Sequence, residues 1–330
     1  MPIRSLNLPQ DFPIALEIIR NAFRYPDHPE WESTPEQEQN YIDQIRSLSR
    51  LWPLFRVVNF FSPEAMDNFR GYIWDEGSQP VGVVTGGCGG VDRWEIGFLA
   101  VLPEYRKRGI AKQLLQSMLD YIKQRNGKTV TLSVVSGNLP AFQFYERLGF
   151  VPYLTEKAFC YPISSPLQTT DFSFLARYKL EPLRHFNYKP LYELDRQIIP
   201  ASVTQYQPVE LDSYQTPLLQ ELFFSLMDKL AGVLAKDIFV CINQDAVAWG
   251  SSRARTRPGG INSISIRANP SHPEIAGYLI PYLLNSVQKN SPGREIHLTL
   301  ADWQEQETEA ALALGFEDIG RQYLSMGLKF

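Results

Sequence analysis

Histidine and cysteine are scarce in this chain, with four and three residues in 330. Cys88, Cys160 and Cys241 stand far apart, odd in number and outside any CxxC spacing, which fits neither a disulfide framework nor a zinc site. His28, His185, His272 and His297 show no HExxH or similar spacing, so no metal site is expected. No apolar run is long enough to span a bilayer. The first residues break their apolar positions with Arg4, Asn7, Gln10, Asp11 and two prolines, unlike the apolar core of a signal peptide. Charge of one sign is not massed either. The net charge is -4 with Lys and Arg scattered among Asp and Glu, which gives no grip on nucleic acid and none on anionic membranes. These absences predict a protein of the reducing cytoplasm with no nucleic-acid and no membrane partner. They leave the oligomeric state open.

What is present is a globular composition, 44% hydrophobic and 21% charged, at a length that favours two domains. Apolar residues at helical spacing from Ile14 to Phe23 follow a short extended piece at Ile3 to Leu8. A polar stretch leads to a second helix around Tyr41 to Leu51, then to an aromatic-rich run, Phe55 to Phe61, whose role the pattern does not give. GYIWDE and PVGVVTG, parted by Gly77, Ser78 and Gln79, read as a hairpin. The glycines from Gly86 to Gly90 read as a loop between strands. WEIGFLAV reads as a strand ending at Pro103, and residues 112–124 place Leu114, Leu115, Met118, Leu119 and Ile122 on one helical face. A strand, TVTLSVV, and a short helix stopped at Gly149 complete the half. This order is unlike a repeating βαβ winding, so the expected class is α/β with a mixed, largely antiparallel sheet flanked by helices.

The chain also repeats itself. Pro103 aligns with Pro270 and Gly149 with Gly315, at offsets of 167 and 166. Two similar offsets across distant landmarks predict a duplicated domain. The expected domains are 1–165 and 172–330, joined by the Pro/Ser/Thr-containing stretch from Tyr161 to Asp171.

Between the strand ending at Val101 and the helix that follows lies Arg106-Lys107-Arg108-Gly109-Ile110-Ala111. A helix N-terminus exposes unpaired N–H groups and positive dipole, small residues let backbone approach an anion, and Arg106 adds a charged donor, so the segment predicts a pyrophosphate cradle. V-x-P-E-Y-R-x-x-G-x-A after a strand resembles the central motif of the GNAT acyltransferases. E-I-G-F-L-A-V before it and N-x-x-A-x-x-F-Y-E-R-L-G-F after it resemble the flanking motifs, and together they cover residues 71–151. The resemblance implies acetyl-CoA as cosubstrate. Its pantetheine arm would bond backbone around Leu99, Ala100 and Val101, and its pyrophosphate would lie on residues 106 to 111.

Acetyl transfer to an amine needs a group to take the ammonium proton. Glu95, six residues before Val101, resembles the general base of the histone-type members, although many GNAT enzymes place that base elsewhere or do without one. Tyr145 matches the tyrosine that many members aim at the CoA sulfur, where it can protonate the leaving thiolate. Asn138 contacts the cofactor arm or caps the short helix. Trp31, Trp52, Phe55, Phe60 and Phe61 line an acceptor pocket or pack in the core. In the second repeat the landmark alignment sets Pro273, Ala276 and Tyr278 against Arg106, Gly109 and Ala111, Asn262 against Glu95, and Ala311 against Tyr145, so that repeat is expected to be degenerate. The expected function is acetyl transfer to a primary amine, on a small molecule or peptide, in the first repeat. The alternative is a non-catalytic acyl-CoA-binding or interaction module.

Overall fold

The structure, a computed structural model, describes residues 2–61, 67, 69–90, 92–163, 177–183, 188–215, 217–243 and 245–330. Most of the expected interdomain linker, and His185, lie outside these residues.

The first half runs β1 (Ile3–Ser5), α1 (Phe12–Ala22), α2 (Pro35–Phe61), β2 (Arg70–Glu76), β3 (Gln79–Cys88), β4 (Arg93–Val101), α3 (Ile110–Gln124), β5 (Thr129–Val135), α4 (Leu139–Glu146) and β6 (Val151–Tyr161). The second half runs β7 (Lys179–Pro182), α5 (Lys189–Ile198), α6 (Ala201–Thr204), α7 (Leu218–Ala231), β8 (Val233–Ile242), β9 (Asp245–Arg255), β10 (Asn262–Ala268), α8 (Ile275–Asn290), β11 (Ile296–Ala301), α9 (Glu305–Ala313) and β12 (Glu317–Lys329). The aromatic-rich run belongs to α2, which is longer than the periodicity predicts. Trp52 and Phe55 are buried, at 6% and 0% exposure, whereas Phe60 is 79% exposed. The side chain of Phe61 lies outside the described residues.

Two compact units form, and their bounds differ from a simple cut at the linker. One comprises 1–34, 45–153 and 324–330, the other 35–44 and 154–323. In the repeat β6 follows α4 as β12 follows α9, yet β6 pairs with β11 in the second unit and Met326 of β12 sits in the core of the first. Each unit thus takes its closing strand from the other half of the chain. Sequence pattern says nothing of which partner a strand finds.

In the first unit the strand order is β1-β2-β3-β4-β5, then the end of β12. β4 and β5 are parallel and the pairs from β1 to β4 antiparallel. α3 lays Ile110, Leu114, Leu115, Met118 and Ile122 against Trp94, Ile96 and Val130. Burying each such side chain is worth about 1.5–3 kcal/mol, and this anchors the helix whose N-terminus forms part of the site. α1 covers the other face through Ala15 and Ile18 against Ile73, Val83 and Ala100. In the second unit the order is β6-β11-β10-β9-β8-β7. There α8 packs Leu279, Leu283 and Val287 on Ile264, Leu298 and Leu300.

Candidate active site

The ladder between β4 and β5 runs only from Arg93–Thr129 to Glu95–Thr131, although both strands continue beyond it. A bulge starts the divergence. Gly86 pairs with Ile96 and Thr85 with Phe98, leaving Gly97 as an extra residue on β4. The Phe98 N–H donates to Thr85 Oγ1 at 3.1 Å and fixes the bulge. Beyond it, Leu102 N–H donates to Val81 O on the β3 side. By strand alternation, Leu99 and Val101 turn their backbone N–H and C=O the other way, into the gap.

Past the gap, α3 opens on Gly109, whose φ of 79° is left-handed, and Lys107 is left-handed too, at 62°. Glycine adopts this conformation without strain. The turn presents backbone N–H groups at the positive end of a 15-residue helix.

Gap and turn share one cavity of about 690 Å³, lined by Leu99, Ala100, Val101, Arg106, Lys107, Gly109, Ile110, Ala111, Asn138 and Tyr145 among others. The structure thus brings together most of the residues singled out in the sequence. Arg108 does not line it. Its Nη2 donates to Glu104 O at 3.0 Å and its guanidinium lies 5.0 Å from the Tyr105 ring centroid. Arg106 lines it and is also held by the protein. Its Nε donates to Val101 O at 3.2 Å, its Nη2 donates to Ala22 O, and its guanidinium lies 5.3 Å from the Tyr25 ring centroid. It ties the turn to the last carbonyls of β4 and α1. Lys112, Tyr25 and Trp31 also line the cavity. Trp31 was named among the aromatics of a pocket or core, whereas Tyr25 escapes a motif search because it comes from the α1–α2 connection, remote in sequence.

Asn138 caps α4 by accepting the Ala141 N–H on Oδ1 at 3.2 Å. One turn before Gly149, Tyr145 packs edge-on to Phe150 with centroids 5.8 Å apart. Burial, and then the nearby Tyr25, push its phenol above the ordinary range, so it stays protonated near neutral pH. Its hydroxyl has no protein partner among the described residues.

Glu95 occupies the last paired position before the strands part and does not line the cavity. Trp94 and Ile96 point to α3, so by alternation Glu95 lies on the α1 face, which Phe98 shares through its contact with Phe23. The side chain is exposed. Even so, the protein around its base withholds solvent and pushes the carboxyl pKa up, with Arg93 opposing.

The strand registers correct the repeat alignment. Val130 pairs with Trp94 in the first repeat and Ile296 with Asn262 in the second. Val130 and Ile296 each precede their helix cap, Asn138 or Gln304, by eight residues. Asn262 therefore stands at the place of Trp94, and Ser263 at that of Glu95, because the extra residue Gly97 shifts the frame by one. Asn262 is buried and spends its amide on Arg255 N–H and Ser291 O. The buried residues Ile275, Leu279, Ile280, Leu283, Leu284 and Val287 each lie 165 positions after Ile110, Leu114, Leu115, Met118, Leu119 and Ile122. Glu274 thus takes the cap position of Gly109, in place of the Ala276 that the landmarks suggest. Between the shared proline and the helix the second repeat has lost two residues.

Sequence spacing also hides a second grouping. Cys160 of β6, His297 of β11 and Glu295 just before β11 bring ligand atoms within 4.8 Å of one another. Glu295 lies 3.3 Å from His297 Nε2. Burial and then Glu295 push that thiol up to about 12, and protein contacts account for the trio.

Residues 22–150 match the acetyltransferase (GNAT) family. Over 61 residues the chain is 44% identical to N-alpha-acetyltransferase 30 of Schizosaccharomyces pombe, covering 18% of this chain and 41% of that protein. Over 146 residues it is 30% identical to mycothiol acetyltransferase of Acidothermus cellulolyticus, covering 43% of this chain and 42% of that one. The chain thus spans about two-fifths of the length of these relatives. A tandem GNAT protein from the clavulanic acid biosynthesis pathway superposes with a TM-score of 0.63 at 14% identity, covering 99% of this chain and 98% of that one. A GCN5-related N-acetyltransferase from Sphaerobacter thermophilus gives 0.62 at 12%, covering 99% and 96%. At these identities the likeness is one of fold.

Proposed function

This chain has the tandem GNAT fold, with a first half, residues 22–150, that belongs to the acetyltransferase (GNAT) family, and we propose that its first repeat moves an acetyl group from acetyl-CoA to a primary amine. The observation that carries the reading is the single cavity lined by the β4 side of the β4–β5 gap, the left-handed turn before α3 and Tyr145.

The residues fit the cosubstrate. Leu99 offers a backbone donor and acceptor and Val101 its N–H along the gap, matching the amides of a pantetheine arm. The turn at Lys107 and Gly109, the dipole of α3 and the cations Lys107 and Lys112 suit a pyrophosphate. Acetyl-CoA supplies the activated acyl group as a thioester. The chain supplies proton handling. Glu95, on the acceptor face where β4 leaves β5, takes the proton of the incoming ammonium through water, since its carboxylate lies outside the cavity lining. Tyr145, held protonated by burial, returns a proton to the sulfur. Phe23, Tyr25 and Trp31 wall the approach on the α1 side. The acceptor is a small molecule or a peptide amine. The test is thiol release from acetyl-CoA across a panel of amines and peptide N-termini. Amine-dependent release is expected, and binding of acetyl-CoA without it would return the protein to a non-catalytic acyl-CoA-binding module.

A further inference from the structure

The second repeat keeps the strand gap. The β10–β11 ladder spans only Asn262–Ile296 to Ile264–Leu298, while β10 runs on to Ala268. Past the bulge the offset between repeats is that of the two prolines, so Ile266 and Ala268 stand where Leu99 and Val101 stand in the first repeat. There the Leu99 groups and the Val101 N–H face an open cavity, and Val101 O accepts from Arg106 Nε. In the second repeat they are taken. Ala268 N–H donates to Glu307 Oε1 at 2.9 Å, and Ile266 O accepts from Gln304 Nε2 at 2.8 Å. Gln304 Nε2 also donates to Glu307 Oε1 at 3.3 Å, and Gln304 Oε1 accepts from Ala301 N–H at 3.1 Å. Both side chains are buried, at 6% and 4% exposure. In the cap frame they replace Asn138 and Ala141. The former is spent on its own helix and the latter has no polar side-chain group.

The helix end shows the same substitution. Where Gly109 is left-handed, Glu274 has φ of -68° and ψ of -21°. Its carboxylate accepts from the Tyr178 hydroxyl and lies 3.4 Å from Arg177 Nη1. Tyr178, then its own backbone N–H, hold its pKa below the ordinary range. An amide donor and a carboxylate acceptor thus fill the gap, and an anion sits at the helix N-terminus. These are the three kinds of group that the cosubstrate would bring to the first repeat.

We propose that the second repeat is liganded by its own side chains, with Gln304 and Glu307 closing the strand gap, while Glu274 sets a negative charge at the helix end. The inference rests on reading the first repeat as the cofactor-binding one. Buried backbone groups without partners are strongly disfavoured. A repeat that gave up its cofactor therefore needed replacements, and a carboxylate at each end of the slot also repels a phosphate.

Hydrogen exchange on the full chain, resolved at the Ala268 amide, tests this. In the wild type, CoA is expected to slow exchange over 99–111 and to leave 266–268 and 301–307 unchanged. Glu307→Leu fills the volume without an acceptor and should speed exchange of the Ala268 amide by about tenfold or more and lower the Tm. Glu307→Gln keeps the acceptor oxygen and should stay close to wild type. CoA protection at 266–268, wild-type exchange in the Leu variant, or equal loss in both variants would overturn the proposal. Should the Leu variant not fold, the Gln variant and the wild-type footprint still decide it. Absent protection at 99–111 would instead strike the reading of the first repeat, leaving the Glu307 comparison intact.

Discussion

In the proposed reaction Glu95 and Tyr145 need opposite protonation states, and their surroundings push both pKa values upward. For Glu95 the shift moves the base toward the working pH. Activity should fall as pH drops through that raised value, because the protonated carboxyl cannot accept the amine's proton. Glu95→Gln should lower kcat by about two to four orders of magnitude and flatten this acid limb, read from a pH–rate profile. Near-wild-type activity would make Glu95 a surface residue. For Tyr145 the shift keeps the acid protonated. Tyr145→Phe removes only a hydroxyl without a protein partner, so kcat should fall more than CoA affinity, and a poorer leaving thiol should suffer most. Weaker CoA binding with intact saturated turnover would make Tyr145 a packing residue. The turn before α3 was legible because its residues are contiguous. The fate of the Arg106 guanidinium was not, since its partners, Val101 O and Ala22 O, are backbone atoms that any sequence would supply.

Among the elements, β4 carries most of the site. Its bulge aims Leu99 and Val101 into the gap, and the Thr85 hydroxyl holds it by accepting the Phe98 N–H. Thr85→Val keeps the shape and leaves that N–H without its partner. A loss of about 1–3 kcal/mol in denaturant unfolding is expected, with reduced acetyl-CoA affinity as the bulge loosens. An unchanged midpoint would mean that another group fixes the bulge. Hydrophobic periodicity revealed the hairpin of β2 and β3 and the amphipathic stripe of α3, because each is a local pattern. It could not reveal the extra residue at Gly97, which does not change composition and appears only as a slip in pairing with β3. That slip is why Asn262 was set against Glu95.

At the scale of the whole molecule, duplication was legible from two proline and glycine landmarks, whereas the exchange of β6 and β12 was not, because strand partnership is non-local. The loss of two residues before α8 was hidden too, since no landmark lies between Pro270 and the helix. No helix among the described residues is long and apolar enough to cross a membrane. The central claim is that one repeat of two holds the cosubstrate, and the second repeat indicates how to abolish that site, since Glu274 stands at the place of Gly109. A Cβ at Gly109 would meet only Gln113 Nε2 at 4.0 Å. The substitution Gly109→Glu therefore acts through backbone strain at positive φ and through repulsion of phosphate. Calorimetric titration of CoA into wild type and Gly109→Glu is the most direct measurement. The account predicts one equivalent bound per chain in the wild type and none in the variant. Two equivalents per chain, or unchanged affinity in Gly109→Glu, would contradict it.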